Sequence, residues 1–183
     1  MNWWVVNLKK SNILKIGITG VLVSIIFTSG CTSSSTNETK TFSDGVMSFN
    51  YPADFYNDTK EGNETNSDLM QIISKLKNNY EFRIWVITNK TRISPTEARN
   101  IVVSKLENDN SYKILSTTTE TNPNGVIVEK IIYTEDYIFG FKKRFDNMYF
   151  KINDVVYGIS VYGLDSDEEE MRNIDNIIFQ SIK

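Results

Sequence analysis

The chain contains no histidine and a single cysteine, Cys31, among 183 residues. Without an imidazole there is no Ser-His or Cys-His catalytic pair, and zinc, copper and iron centres built on His and Cys ligands are excluded. A lone sulfur forms no internal disulfide. No glycine-rich phosphate loop follows a strand pattern, and Gly158-Ile159-Ser160-Val161-Tyr162-Gly163 misses the G-x-S-x-G elbow by one position, so Ser160 reads as a strand serine. The run Ile16 to Phe27 holds 12 mostly apolar residues. As a helix it would rise about 18 Å against a hydrocarbon core of roughly 30 Å, so no permanent membrane-spanning helix is expected. Positive charge is also in short supply. Lys9, Lys10 and Lys15 precede Cys31 with no acidic residue among them, which leaves the rest of the chain about six charges negative. Nucleic acid, which demands a basic surface, is not an expected partner.

What is present begins with an address. The three lysines, the apolar run and the small residues Thr28, Ser29 and Gly30 follow the order of a secretory signal. Thr28-Ser29-Gly30-Cys31 resembles the lipobox of prokaryotic lipoproteins, with Thr28 where that family usually carries Leu. The resemblance implies that residues 1–30 are a cleaved signal peptide and that Cys31 is alkylated by a diacylglyceryl group and becomes the first mature residue. It also implies that the protein is held at the extracytoplasmic face of the cell membrane by acyl chains, two of which hold far longer than one. Residues 31–40 then form the lipidated cysteine and a Ser/Thr-rich tether with nothing to bury, reaching roughly 15 to 18 Å. Residues 41–183 are enough for one domain.

Within that domain, Phe42 through Asp44-Gly45 to Val46–Tyr51 reads as a β-hairpin stopped by Pro52. Tyr56 to Asn66 is a polar loop. Ser67 is positioned to cap a helix whose Leu69, Ile72, Ile73 and Leu76 share one stripe. Tyr80 to Thr88 alternates as a strand. Ser94-Pro95-Thr96-Glu97 combines an N-cap, a proline at the first helical position and a capping-box glutamate, and opens a helix burying Ala98, Ile101, Val102 and Leu106. Strands Tyr112–Thr119 and Val126–Thr134 are joined at Asn122-Pro123-Asn124-Gly125, where Asn-Gly supplies positive φ. Phe139 to Ile152 reads as one long strand, turned at Asn153-Asp154 into Val155–Gly163. A helix with an acidic first turn and the stripe Met171, Ile174, Ile177 and Ile178 closes the chain.

Hairpin links between the later strands predict an α+β fold: a mostly antiparallel sheet of about six strands flanked by helices. Phe42-Ser43-Asp44-Gly45-Val46, Phe49-Asn50-Tyr51-Pro52 with Phe55, Asn153-Asp154-Val155-Val156-Tyr157-Gly158-Ile159 and Ile177-Ile178-Phe179-Gln180-Ser181-Ile182-Lys183 together resemble the PsbP-like family. Its members include the PsbP subunit of photosystem II and a Ran-binding nuclear-import factor. The usual Trp after Tyr-Pro is Phe55 here. The resemblance implies a sandwich fold over 41–183 and a non-catalytic accessory or protein-interaction role, with a protein partner that the residues do not name; the absence of histidine and of any thiol but Cys31 leaves no cofactor and no metal to expect. The alternative is a small-ligand or glycan-binding protein, or a carboxylate-based hydrolase of the envelope. Its candidate acids are Glu135-Asp136 and Asp165 to Glu170, which a turn and a helix N-terminus explain more simply.

Four Asn-x-Ser/Thr sites, Asn37, Asn57, Asn63 and Asn89, are candidate N-glycosylation acceptors in the tether and loops. Lys142-Lys143-Arg144, among Phe139, Phe141 and Phe145, is the one basic-aromatic patch. The simpler reading is a solvated edge strand protected by lysines, and the other is a contact with lipid headgroups or an acidic partner.

Overall fold

The computed structural model describes residues 38–57, 69–77, 80–89 and 93–183. The signal, Cys31, Asn37 and Asn63 lie outside these residues. A hairpin opens the chain, β1 (Thr39–Ser43) against β2 (Ser48–Pro52), so the first strand starts two residues inside the stretch read as tether. Asp44 makes the turn: its Oδ1 accepts the amides of Val46 (2.8 Å) and Met47 (2.7 Å), and Gly45 takes φ 89°.

The main sheet has seven strands in the order β3-β4-β5-β9-β8-β7-β6, all antiparallel. They are the two-residue β3 (Tyr56–Asn57), β4 (Leu69–Lys77), β5 (Tyr80–Asn89), β6 (Tyr112–Thr121), β7 (Ile127–Asp136), β8 (Lys142–Ile152) and β9 (Val155–Leu164). Helix α1 (Pro95–Leu106) carries the chain from β5 to the far edge at β6, and α2 (Glu168–Ser181) follows β9. This is the α+β arrangement expected.

The elements β4 and β8 differ from the sequence reading. The stretch after Ser67 is not a helix but β4, hydrogen-bonded to β5 from Leu69↔Ile87 to Lys77↔Tyr80. Its apolar spacing fits a helical stripe, yet Leu76, expected on that stripe, is 66% exposed while Ile73 is fully buried. The ladder offered by β5 overrides local spacing, and adjacent β-branched Ile72 and Ile73 suit a pleated surface. The long strand from Phe139 instead begins at Lys142, because Phe139 (φ 56°) and Gly140 (φ 80°) leave extended geometry. Strand β8 is also interior, between β9 and β7, rather than an edge.

One face of the sheet and the β1–β2 hairpin enclose the core. Ile84, Val86, Met148, Phe150, Ile159 and Val161 meet Phe42 and Phe49 from the hairpin and Met171, Ile174, Ile178 and Phe179 from α2. Tyr157 donates from Oη to Asp44 Oδ2 (2.9 Å), tying the hairpin turn to β9. On the other face α1 packs over β6, β7 and β8 with Ala98, Val102 and Leu106 buried, while Ile101 is half-buried. Its start is as read: Ser94 Oγ accepts the Glu97 amide (3.1 Å) with Pro95 in the first turn.

Asn122 locks the β6–β7 turn to the end of α2. Its Nδ2 donates to the carbonyls of Phe179 (3.0 Å) and Ile182 (2.7 Å), and its Oδ1 accepts the amides of Asn124 (3.0 Å) and Val126 (2.9 Å). Asn122→Ala leaves four backbone groups short of a buried partner. Equilibrium urea unfolding should show a loss of about 2 to 4 kcal/mol with an unchanged m-value.

Candidate interaction face

On the α1 face, five adjacent strands contribute one aromatic each to a continuous row: Trp85 of β5, Tyr162 of β9, Phe145 of β8, Tyr133 of β7 and Tyr112 of β6. Successive ring centroids lie 5.8, 5.6, 4.8 and 6.0 Å apart, edge-on at both ends and stacked in the middle. The register makes the row, since Phe145 stands opposite both Tyr162 and Tyr133. Such contacts contribute about 0.5 to 1.5 kcal/mol each beyond area burial. Phe145 is buried and the other four are half-buried, and the Arg83 guanidinium sits 5.8 Å from the Tyr162 ring. Among the described residues α1 packs chiefly on β6, β7 and β8. Trp85 Nε1 and Glu135 Oε2, near opposite ends of the row, are buried with no hydrogen-bond partner among the described residues. Burial pushes the Tyr133 and Tyr162 phenols up, so both stay neutral. Under α1, Glu129 accepts from Thr96 (2.8 Å), Thr119 (2.8 Å) and Arg99 (2.5 Å). Burial raises its pKa, and these hydrogen bonds with the Arg99 charge outweigh that, holding the carboxyl below its usual range.

Beside the row, β7 and β8 are joined by a tip that turns its apolar residues outward. Tyr137 is 40% exposed, Ile138 55%, Phe139 92% and Phe141 47%. The tip is closed by Tyr137 N–H to Phe141 O (2.8 Å) and Phe141 N–H to Ile138 O (3.2 Å). Left-handed geometry costs a bulky side chain on the order of 1 to 2 kcal/mol, so Phe139 is a residue kept where glycine would fit better. Behind it, Lys142 pairs with Asp136 (3.4 Å) and Lys143 lies 4.1 Å over the Tyr137 ring. Phe139→Gly should therefore leave the fold intact and raise its stability by up to about 1 kcal/mol, read as a higher urea midpoint.

The third member of the basic triplet points the other way. Arg144 is buried, donating from Nε to Asp146 Oδ1 (2.9 Å) and lying 2.9 Å through Nη1 from Glu168 Oε1 at the start of α2. Nearby, Lys130 binds Asp175 of α2 (3.0 Å) and stands 4.0 Å from the Phe179 ring. Burial pushes the Asp146 carboxyl from 3.8 up to about 6, and the opposing Arg144 charge and hydrogen bond are too weak to reverse it. The folded protein therefore holds this proton between about pH 4 and 6, where the unfolded chain releases it. The stability contributed is full below pH 4 and is lost as the pH rises through 6. Asp146→Asn should remove that slope. Plotted against pH, the difference in unfolding free energy between wild type and variant should fall by on the order of 2 to 3 kcal/mol from pH 4 to pH 7.

The other sequence-level candidates are dispersed. Asn57 forms β3 opposite Ile73, and Asn89 ends β5 opposite Val156, so both belong to strands rather than loops. Ser160 lies in β9 and donates from Oγ to Asn147 Oδ1 (2.6 Å), as a strand serine. Gly163 is a packing glycine, since a Cβ there would lie 2.8 Å from the Phe82 ring. Of the candidate acids, Asp136 pairs with Lys142, Glu168 with Arg144 and Arg172, and Glu170 with Lys75, each in a separate place. An open groove of about 560 Å³ outside α1, lined by Ser94, Thr96, Glu97, Asn100, Ile101, Ser104 and Lys105, holds one carboxylate. Among the described residues no cluster of His, Cys, Asp or Glu is arranged to hold a metal, and no helix is long and apolar enough to cross a membrane. Sequence reasoning missed the aromatic row and the buried charges. The charges had a signal, because Glu129-Lys130 and Asp146-Asn147 interrupt otherwise apolar strands.

No protein-family model and no curated protein sequence matches the chain. Solved structures do. Cyanobacterial PsbP (CyanoP) from Synechocystis aligns at TM-score 0.58 and 8% identity, over 85% of this chain and 97% of that one. LpqN, involved in cell envelope biogenesis of Mycobacterium tuberculosis, aligns at 0.55 and 11%, over 82% and 86%. The Saccharomyces cerevisiae Ran-binding protein Mog1p aligns at 0.52 and 11%, over 81% and 96%. These likenesses show that the fold is PsbP-like.

Proposed function

We propose that the chain is a lipid-anchored protein of the cell envelope whose domain is not an enzyme and acts by binding another protein through the aromatic face of its sheet. The observation that carries this is the five-ring row, in which Trp85, Tyr162, Tyr133 and Tyr112 are each half-buried. Half-buried Trp and Tyr side chains are the groups from which interface hot spots are made, and stacking already holds them in place before any partner arrives. Three things support the reading. The chain has no histidine and no thiol but Cys31, so nucleophilic chemistry has little to draw on. Asp136, Glu168 and Glu170, among the acids a hydrolase would need, are tied to cations in separate places. Of the proteins that share the fold, Mog1p is Ran-binding and LpqN is involved in cell envelope biogenesis. The lipid anchor at Cys31 rests on the lipobox resemblance and places the domain at the outer face of the membrane.

Two measurements test the two halves. Metabolic labelling with a fatty-acid or isoprenoid analogue should mark the wild type in the membrane fraction, and Cys31→Ser should be unlabelled. A photo-crosslinking phenylalanine analogue in place of Tyr112 or Tyr162, in native membranes, should give one discrete protein adduct. The same analogue in place of Ile127, at the other end of the sheet, should give none. Equal, diffuse crosslinking at all three positions would refute a specific face.

A further inference from the structure

Among the described residues nine large hydrophobic side chains are exposed, and four of them fall within the five positions Tyr137 to Phe141. The tip is pinned by two hydrogen bonds across itself and sets Phe139 almost wholly in solvent, so this is a shaped projection. Its place in the fold identifies what it meets. Lys143, just after the tip, pairs with Leu164, and α2 starts four residues later. Glu170 in the first turn of α2 binds Lys75 of β4 (2.7 Å), which also binds Asp54 (2.5 Å). The neighbouring Ala53 amide donates to the carbonyl of Glu38 (2.9 Å). Glu38, where the described chain begins, therefore stands at the same end of the sheet as the tip, and β4 is three strand spacings from β8, about 14 Å. Six residues separate Cys31 from Glu38, so the chain allows the two to lie at most about 25 Å apart.

We propose that the Tyr137–Phe141 tip inserts into the interfacial zone of the lipid bilayer and orients the domain upon it. The proposal rests on the anchored reading above for proximity. Phe139 and Ile138 would enter the acyl boundary. Tyr137 sits at the level where amphipathic rings collect, and the stems of Lys142 and Lys143 lie along the apolar base with their ammonium groups in the headgroups. Burial of apolar surface drives the contact, and surface charge does not: Lys142 is paired with Asp136, Lys143 rests on Tyr137, and Asp165, Asp167 and Glu169 are at the same end of the sheet. Insertion is therefore insensitive to salt and to anionic lipid, unlike adsorption through a basic patch. With the tip in the membrane the strands stand upright, and the aromatic row faces sideways along the surface, open to a neighbouring protein.

The test uses the full chain, reconstituted in phosphatidylcholine vesicles with and without phosphatidylglycerol. Phe139→Cys and Ile127→Cys are labelled with NBD, and the parent chain gives the background from Cys31. Expected is a blue shift and a several-fold gain in NBD emission at position 139, quenched by nitroxide lipid, in both lipid mixtures and in high salt, with position 127 remaining water-like. Protein that floats with the vesicles while position 139 stays water-like overturns the tip and leaves the anchor standing. Protein that does not float refutes the anchor, and excess added vesicles then read the tip alone through the same signal. Equal shifts at 139 and 127, or a shift at 139 that appears only in native membranes with their proteins, overturn the proposal. Phe139→Gly, expected to fold normally, should float as the wild type does.

Discussion

The architecture depends on one non-local ladder, β5 to β9, which pairs Arg83 with Tyr162 and runs to Asn89 with Val156. Everything between these strands in sequence leaves by way of α1 and returns as the β6–β9 meander, whose strands pair with their sequence neighbours. That one ladder makes a single sheet of what would otherwise be two hairpin groups. It brings Trp85 to Tyr162 and so completes the aromatic row. It also turns residues 69–77 into a strand, because β5 offers its other edge and an unpaired ladder of amides and carbonyls would be left open.

The two faces of the sheet are put to different uses. Beneath α2 and the hairpin lies an apolar core at whose margin stand Lys130–Asp175 and Arg144–Asp146–Glu168. Buried ion pairs add little net stability, since desolvation offsets attraction, but stranding one partner is costly. Their effect here is positional: a slide of α2 by one turn would separate Asp175 from Lys130 and Glu168 from Arg144. The other face is covered by α1 over β6 to β8 and is aromatic across the five strands from β5 to β6. A rigid floor on one side thus supports a presenting surface on the other.

Much of this architecture was legible in the residues. The Ser94-Pro95 cap, the Asn124-Gly125 and Asn153-Asp154 turns, the alternation of β5 and β9 and the stripe of α2 are local patterns with local causes. The failures have a common origin in long-range order. The Leu69–Leu76 spacing satisfies a helix as well as a strand, and only the partner decides. The five aromatics lie on five strands, and no spacing along the chain reveals that their registers coincide. Arg144 looked like one of three surface cations until strand alternation sent it to the opposite face from Lys143. The tip at Phe139 was hidden because a bulky aromatic in left-handed geometry defies the preference from which turns are read.

Lys183 closes the β1–β2 hairpin from outside it. Lys183 and Ser48 exchange both backbone hydrogen bonds, Ser48 N–H to Lys183 O at 3.0 Å and Lys183 N–H to Ser48 O at 3.1 Å. Together with the Asn122 clasp on Phe179 and Ile182, this means that the β1–β2 hairpin, which supplies a wall of the core, has no seat until residues 179–183 have been made. Such wiring disfavours early collapse on the ribosome and keeps the first half of the domain pliable while the second half is synthesised.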